Sequence, residues 1–171
     1  KKVVCDGYAW LHKGAYSCAV ALCEGEQTDA YLNYPIHLVN MMKYYNVTPV
    51  VVLDGASLPG KHGTNVGRRE RRRDMMERGK KLKGQGDAVG AERAYQAAVS
   101  VTTTMARKLH EALTKLGVQC IIAPFEADAQ MASIVLSGHA SAVVTEDSDL
   151  IPYGVESCIY KLDRFGGCLV L

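Results

Sequence analysis

Acidic residues stand directly after short apolar runs at four separated places in the chain. VVCD ends at Asp6, VVVLD ends at Asp54, and two further runs lead to the pairs Glu126/Asp128 and Asp147/Asp149. A run of β-branched and apolar residues that ends in Asp is typical of a buried strand with a charge at its carboxyl end. Because ligand crevices of open α/β sheets lie at that edge, we expect all six carboxylates to share one crevice.

Six like charges in one crevice repel one another unless cations neutralise them, and divalent cations with oxygen ligands do so best. Two such ions about 3.5–4 Å apart hydrolyse phosphodiesters without a protein nucleophile. The spacing favours two Mg²⁺ ions, with Mn²⁺ as a substitute. We expect Asp128, Asp147 and Asp149 to hold one ion, and Asp6, Asp54 and Glu126 to hold the other.

Two of these pairs depend on local backbone. Asp147 and Asp149 face the same side if the chain stays extended there, with Glu146 and Ser148 facing the other. Glu126 and Asp128 share a site only if Glu126 lies in a loop or the first helical turn, because residues two apart on a helix do not face each other.

The apolar pattern alternates between strands and helices, which predicts an α/β fold with a mostly parallel sheet flanked by helices. The predicted strands are 2–5, 50–53, 118–122, 141–144, 158–161 and 168–171. The predicted helices are a stretch from Gly7 to Leu22, then 29–45, 66–83, a long region from 94 to 116 that the β-branched residues 101–104 can interrupt, and 125–136.

Length and composition predict one domain over residues 1–171, with ordinary hydrophobic (48%) and charged (22%) fractions. The six cysteines show no CxxC spacing, which favours buried, reduced thiols and an intracellular protein. Since the sequence opens directly on a strand without Met, we expect it to be a fragment of a longer protein.

Basic residues concentrate in one block. Residues 61–83 contain ten Lys/Arg against three Asp/Glu, while the rest of the chain is acidic overall. A basic block beside an acidic pocket suits a protein that grips a polyanion such as DNA and cuts it with bound metal. Taken alone, the block is better explained by a solvated helix face or a localisation signal.

Four segments together resemble the flap endonuclease superfamily of structure-specific 5′ nucleases, and its exonuclease-1 branch in particular. They are DGYAWLHKGA (6–15), APFEADAQ (123–130), TEDSDL (145–150) and KLDRFGG (161–167). The resemblance implies a PIN-like α/β domain with a basic helical arch, or gateway, inserted after the second strand at about residues 55–117. It also implies a 5′-to-3′ exonuclease with 5′ flap endonuclease activity in DNA repair, including mismatch repair, in the nucleus.

The same resemblance assigns roles to individual residues. Asp6, Asp54, Glu126, Asp128, Asp147 and Asp149 match the metal-site carboxylates, and Lys61 and Arg68 match a catalytic gateway pair at the scissile phosphate. Tyr8 and His12, one helical turn apart, match a face near the terminal bases, and Arg71 and Arg72 correspond to phosphate contacts. The family also has a Met-Gly segment before Lys1 and a helix–two-turn–helix beyond Leu171, and this sequence contains neither.

Ordinary alternatives exist for each role. Lys61 and Arg68 can be plain phosphate contacts, and Tyr8 and His12 can be a partly buried Tyr and a surface His. The whole chain can be a DNA-binding module with an inactive metal site. A third alternative is a phosphotransferase that uses Asp6 as its nucleophile. Such enzymes normally have a second acidic residue two positions later, and this chain has Tyr8 there.

The expected partner is DNA with a 5′ end, nick, gap or flap. Repair or replication proteins are implied as partners only by the resemblance, and the protein is expected to be a monomer.

Overall fold

The computed structural model describes residues 1–56 and 62–170 of the chain. Its centre is a six-stranded sheet in the order β3-β2-β1-β4-β5-β6. The strands are β1 (Lys2–Asp6), β2 (Thr48–Leu53), β3 (Gln119–Ile122), β4 (Ala142–Thr145), β5 (Cys158–Tyr160) and β6 (Leu169–Val170). The first five are parallel, and β6 pairs antiparallel with β5. The predicted fold class is confirmed.

Seven α-helices connect these strands in the described ranges. They are α1 (Gly7–Tyr16), α2 (Ala19–Cys23), α3 (Asn33–Tyr44), α4 (His62–Gly84), α5 (Ala88–Ala98), α6 (Thr103–Lys115) and α7 (Ala127–Leu136). Short 3₁₀ turns cover Ala30–Leu32 and Ile151–Tyr153. In none of the described ranges does a helix have both the length and the apolar character needed to cross a bilayer.

Alternate residues of each central strand pack on opposite faces of the sheet. Val3, Cys5 and Val51 join a large apolar core with residues of α1, α3 and α6. Val4, Val52 and Val143 join a second core with α7. Burial on both faces explains why these strands appear in the sequence as continuous apolar runs rather than as alternating patterns.

Two predictions from the sequence need correction. The stretch through Leu22 is two helices with a turn at Ser17–Cys18. The interruption expected near residues 101–104 is confirmed, since the long helical region breaks between α5 and α6, where Thr102 caps α6 through its hydroxyl. The cysteines are all free thiols, but only Cys5 and Cys158 are buried, and Cys168 is exposed. Cys168 lies at the edge of the sheet, beside the two-residue strand β6, where nothing in the described ranges covers it.

The basic helix α4 packs along α5 through a glycine. A Cβ atom added at Gly79 would lie 2.7 Å from two carbons of the buried Tyr95 ring. Among the described residues, nothing lies within 4 Å of the corresponding position at Gly67, which is exposed on the same helix. Gly79 is therefore needed for close helix packing, whereas Gly67 is not.

We predict that Gly79→Ala and Gly67→Ala change stability in opposite directions. Alanine favours a helix over glycine by roughly 1 kcal/mol, so Gly67→Ala should raise the melting temperature. Gly79→Ala should lower it, because the methyl group must displace the Tyr95 ring or separate the two helices. Thermal melts of both variants check this, and stabilisation by Gly79→Ala would contradict the packing described here.

Candidate metal centre

The carboxylates lie at the carboxyl edge of the parallel sheet, and strand periodicity assigns them a face. Asp6 stands two residues after Val4, and Asp54 two residues after Val52; both valines pack on the α7 side. Since side chains two apart on a strand share a face, both carboxylates belong to the α7 side. Asp128 lies in the first turn of α7 itself. The core packing therefore sets where these charges meet.

Asp6 is both the last residue of β1 and the N-cap of α1. Its Oδ1 accepts hydrogen bonds from the backbone N–H of Tyr8 (2.9 Å) and of Ala9 (3.0 Å). Gly7 follows it at a close approach to β2, where a Cβ atom would lie 2.6 Å from Leu53 Cδ2. The strand-to-helix junction thus holds one oxygen of Asp6 in place and leaves the carboxylate at the sheet edge.

The loop after β2 is bonded to the loop after β3. Gly55 N–H donates to Phe125 O (2.7 Å), and a Cβ at Gly55 would lie 1.9 Å from Ala123 O. The Ala127 N–H at the start of α7 donates to Asp54 Oδ1 at 2.7 Å. Asp54 is therefore held by the amino end of the helix that carries Asp128, a position that favours a negative charge.

Glu126 and Asp128 meet the condition, stated above from the sequence, under which both side chains can belong to one site. Glu126 is the N-cap residue of α7 with extended backbone (φ −82°, ψ 141°), and Asp128 is in the first turn. The change from extended to helical backbone between them allows both carboxylates to face the same crevice.

A turn over residues 146–149, which we call the acidic turn, follows β4. The strand ends at Thr145, so the predicted continuation in extended conformation is wrong. The reason is that the Asp147 N–H donates to the Thr145 hydroxyl at 3.1 Å and folds the chain back. Glu146 points away from the site, where Lys13 Nζ of α1 contacts its Oε1 at 2.7 Å.

Electrostatic effects show that the carboxylates act on one another. Burial, together with the charges of Asp128 and Asp54, raises the pKa of Asp6 to about 6, although the hydrogen bonds from Ala9 and Tyr8 oppose the rise. Burial also raises the pKa of Asp128, and the charges of Asp54, Asp147, Asp149 and Glu126 add to the rise. Asp128 thus stands within electrostatic reach of all five other carboxylates.

The carboxylates converge without forming a tight cage. No group of three or more His, Cys, Asp or Glu side chains in the described ranges is arranged to hold an ion as it stands. Asp147 and Asp149 are exposed, so their side chains can rotate toward a cation. A donor set made only of carboxylate oxygens fits a hard divalent cation such as Mg²⁺ or Mn²⁺.

The other predicted site residues divide into two groups. Tyr8 and His12 are half-buried on α1, and burial together with the charge of Arg72 on α4 lowers the pKa of His12. Burial and the charge of Asp54 raise the pKa of Tyr8. Arg68 and Arg71 are exposed on α4, and Lys61 lies outside the described residues.

Sequence reasoning missed the residues that orient the carboxylates. Gly7 and Gly55 permit the close approaches described above, Thr145 sets the acidic turn, and Lys13 holds Glu146. The two glycines could have been recognised from the sequence, since each belongs to an Asp-Gly pair that follows a strand. Thr145 lies only two residues from its partner Asp147, whereas the partner of Lys13 has no local signal, because the Lys13–Glu146 contact spans 133 residues.

We predict that Asp6→Asn stabilises the metal-free protein at neutral pH. The folded-state pKa of Asp6 is above its ordinary value of 3.8, so the folded state binds the proton more tightly between about pH 4 and 6. The free energy of unfolding therefore falls as pH rises through that window, by about 3 kcal/mol for this group alone. Asparagine keeps the capping oxygen and lacks the charge.

Thermal melts of wild type and Asp6→Asn, in EDTA at pH 4 and at pH 7.5, measure this difference in stability. The gain in melting temperature from Asp6→Asn should be present at pH 7.5 and vanish near pH 4, where wild-type Asp6 is also neutral. If Asp6→Asn were less stable than wild type at pH 7.5, the negative charge of Asp6 would not destabilise the folded state.

Comparison with known proteins gives consistent results over the chain. The XPG N-terminal domain family matches residues 1–75, and the XPG I-region family matches residues 117–168. Exodeoxyribonuclease 1 of Schizosaccharomyces pombe is 42% identical over 166 residues, which are 97% of this chain and 29% of that protein. The chain thus spans less than a third of the length of this relative.

Solved structures share the fold. Flap endonuclease-1 from Methanococcus jannaschii matches with a TM-score of 0.61 and 26% identity, over 94% of this chain and 52% of that one. The catalytic core of Rad2 in complex with DNA substrate matches with a TM-score of 0.68 and 20% identity, over 99% of this chain and 44% of that one. Because sequence families, relatives and fold agree, the chain belongs to the flap endonuclease superfamily, in its exonuclease 1 branch.

Proposed function

We propose that this chain carries the metal centre of a structure-specific 5′ DNA nuclease, a 5′-to-3′ exonuclease with 5′ flap endonuclease activity. The observation that carries the proposal is the convergence of carboxylates from β1, β2, α7 and the acidic turn on Asp128. A site built only from carboxylates repels DNA unless cations occupy it, so metal and substrate must bind together. The exodeoxyribonuclease name of the relative at 42% identity supports the same reaction.

The proposed ligands are Asp128, Asp147 and Asp149 for one divalent ion, and Asp6, Asp54 and Glu126 for a second. When bound, the two ions supply an activated water and stabilise the charge on the leaving oxygen. The chain's own contribution is to hold these oxygens at one edge and to fix two of them. Asp6 is held by the α1 amides and Asp54 by the Ala127 amide, so neither can turn away from the crevice.

We also propose that residues 55–117 form the gateway for the DNA strand. Within this range α4 carries exposed Arg68 and Arg71 and half-buried Arg72, whose charge acts on His12 of α1. Lys61 and Arg68 are assigned to charge stabilisation at the scissile phosphate, where a cation helps most as negative charge develops. Arg71 and Arg72 are assigned to phosphate contacts, and Tyr8 with His12 to the terminal bases, where an aromatic ring stacks on any base.

The biological setting follows from the family. We expect the substrate to be DNA with a 5′ end, nick, gap or flap, and the place of action to be the nucleus, in DNA repair that includes mismatch repair. Repair or replication proteins are the expected partners, and the protein is expected to act as a monomer. The single alternative is a DNA-binding module whose metal site does not turn over.

The first test measures metal binding and cleavage on the same protein. Mn²⁺ should raise the melting temperature of the wild type with the logarithm of its concentration above Kd, and Asp149→Ala should weaken that rise. With Mg²⁺, wild type should shorten a duplex from its recessed 5′ end, and Asp149→Ala should not. Metal binding without cleavage of recessed, nicked or flapped DNA would indicate the binding module instead, and an unchanged melt across millimolar metal would remove the metal site altogether.

The second test separates phosphate contacts from catalytic contacts on α4. Arg71→Ala with Arg72→Ala should make the log–log dependence of DNA affinity on salt shallower by about 0.9 per lost phosphate contact. A matched control, Lys1→Ala with Lys2→Ala, removes two exposed charges at the amino end of β1, opposite the carboxylate edge, and should leave the slope unchanged. An unchanged slope in the α4 variant would reduce the basic block to a solvated surface.

Arg68→Ala gives the contrasting result. If Arg68 contacts the phosphate mainly in the transition state, single-turnover cleavage should fall far more than DNA affinity does. Equal losses of rate and affinity would make Arg68 a phosphate contact like Arg71.

A further inference from the structure

The hydroxyl of Tyr160 on β5 is shielded from solvent and has no hydrogen-bond partner in the described ranges. The Cys158 thiol, two residues earlier on the same strand face, is close enough to interact with this hydroxyl, but a thiol is a weak hydrogen-bonding group and does not satisfy a phenol. A buried polar atom without a partner destabilises a fold, and a Phe side chain would fill the same space without that penalty. Such an atom therefore calls for a reason beyond packing.

Its position connects Tyr160 to the metal centre. Tyr160 is paired in register with Thr145 of β4, and the Thr145 hydroxyl accepts the Asp147 N–H that folds the acidic turn. Both residues belong to the α7 side of the sheet, since Val143 and Cys158, two residues before them, pack in that core. Tyr160 thus lies beneath the acidic turn, on the same side as Asp128.

The charges around the hydroxyl identify its acceptor. Burial, then the Cys158 thiol and then the charge of Asp147 raise the pKa of Tyr160. Asp147 is the one carboxylate among these causes, and its side chain is exposed and free to change rotamer. A phenol that stays protonated at neutral pH is a donor, and its strongest acceptor is an ionised carboxylate.

We propose that Tyr160 is a positioning residue for Asp147, whose carboxylate accepts a hydrogen bond from the Tyr160 hydroxyl when Asp147 turns inward to bind a divalent cation. The inference rests on the metal site of the proposed function. It accounts for the unpartnered hydroxyl, because the donor is in place before its acceptor arrives. It also gives Asp147 a fixed direction that its exposed position in the acidic turn does not supply. Donors behind a ligating carboxylate commonly strengthen metal binding 10- to 100-fold.

The test is Tyr160→Phe, read in two ways that need no nuclease assay. Without metal, in EDTA, the variant should melt at a higher temperature than wild type, because it no longer buries an unpaired hydroxyl. With Mn²⁺, titration calorimetry should show an affinity lower than that of wild type by about ten-fold. A purely structural role cannot raise stability and weaken metal binding together.

Two further variants complete the design. Tyr31→Phe removes a hydroxyl that is already bonded to Asp29 at 3.1 Å, so it should lower the melting temperature and leave Mn²⁺ affinity unchanged. In an Asp147→Asn background, Tyr160→Phe should have a much smaller effect on Mn²⁺ affinity, since the charged acceptor is gone. Unchanged Mn²⁺ affinity in Tyr160→Phe overturns the inference while leaving the metal site intact, whereas wild type that binds no Mn²⁺ overturns the proposed function itself.

Discussion

Mutual repulsion among carboxylates at one edge of the sheet is the constraint on which the rest of the structure depends. Without a cation, each charge raises the cost of ionising its neighbours, and this repulsion adds to burial, the larger cause, in raising the pKa of Asp6 to about 6. The fold compensates for this repulsion with backbone N–H donors, which require no additional charged side chain. The α1 amides hold Asp6, and the Ala127 amide at the amino end of α7 holds Asp54. Helix amino termini are thereby used as permanent partial positive charges.

The remaining acidic residues are handled differently, and the difference suits exchange of a metal ion. Asp147 and Asp149 are exposed in a turn whose backbone is fixed by Thr145, so their side chains can move while their positions cannot. Glu146, in the same run, is removed from the crevice by Lys13. A site with some fixed and some movable oxygens can bind a cation firmly and still release it with product.

The sequence predicts the parts of this site that are encoded locally. Apolar runs that end in Asp identify the strands and their charged ends, and the predicted strands agree with the observed ones to within two residues. It could not predict the acidic turn. Extended backbone was expected at Asp147 as a continuation of β4, but the hydrogen bond from the Asp147 N–H to the neighbouring Thr145 hydroxyl bends the chain there. It also could not predict Lys13 with Glu146 or Tyr160 with Thr145, since those depend on which strands become neighbours in the sheet.

Strand periodicity links the hydrophobic core to the chemistry. Val4 and Asp6, Val52 and Asp54, and Val143 and Thr145 are each two residues apart, so the face that packs on α7 also carries the functional groups. A slip of one residue in any of these strands would move an apolar side chain out of the core and a polar group out of the crevice at once. Selection for a packed core therefore also preserves the geometry of the site. Only the last adjustment, the rotamers of Asp147 and Asp149, is left for the cation to make.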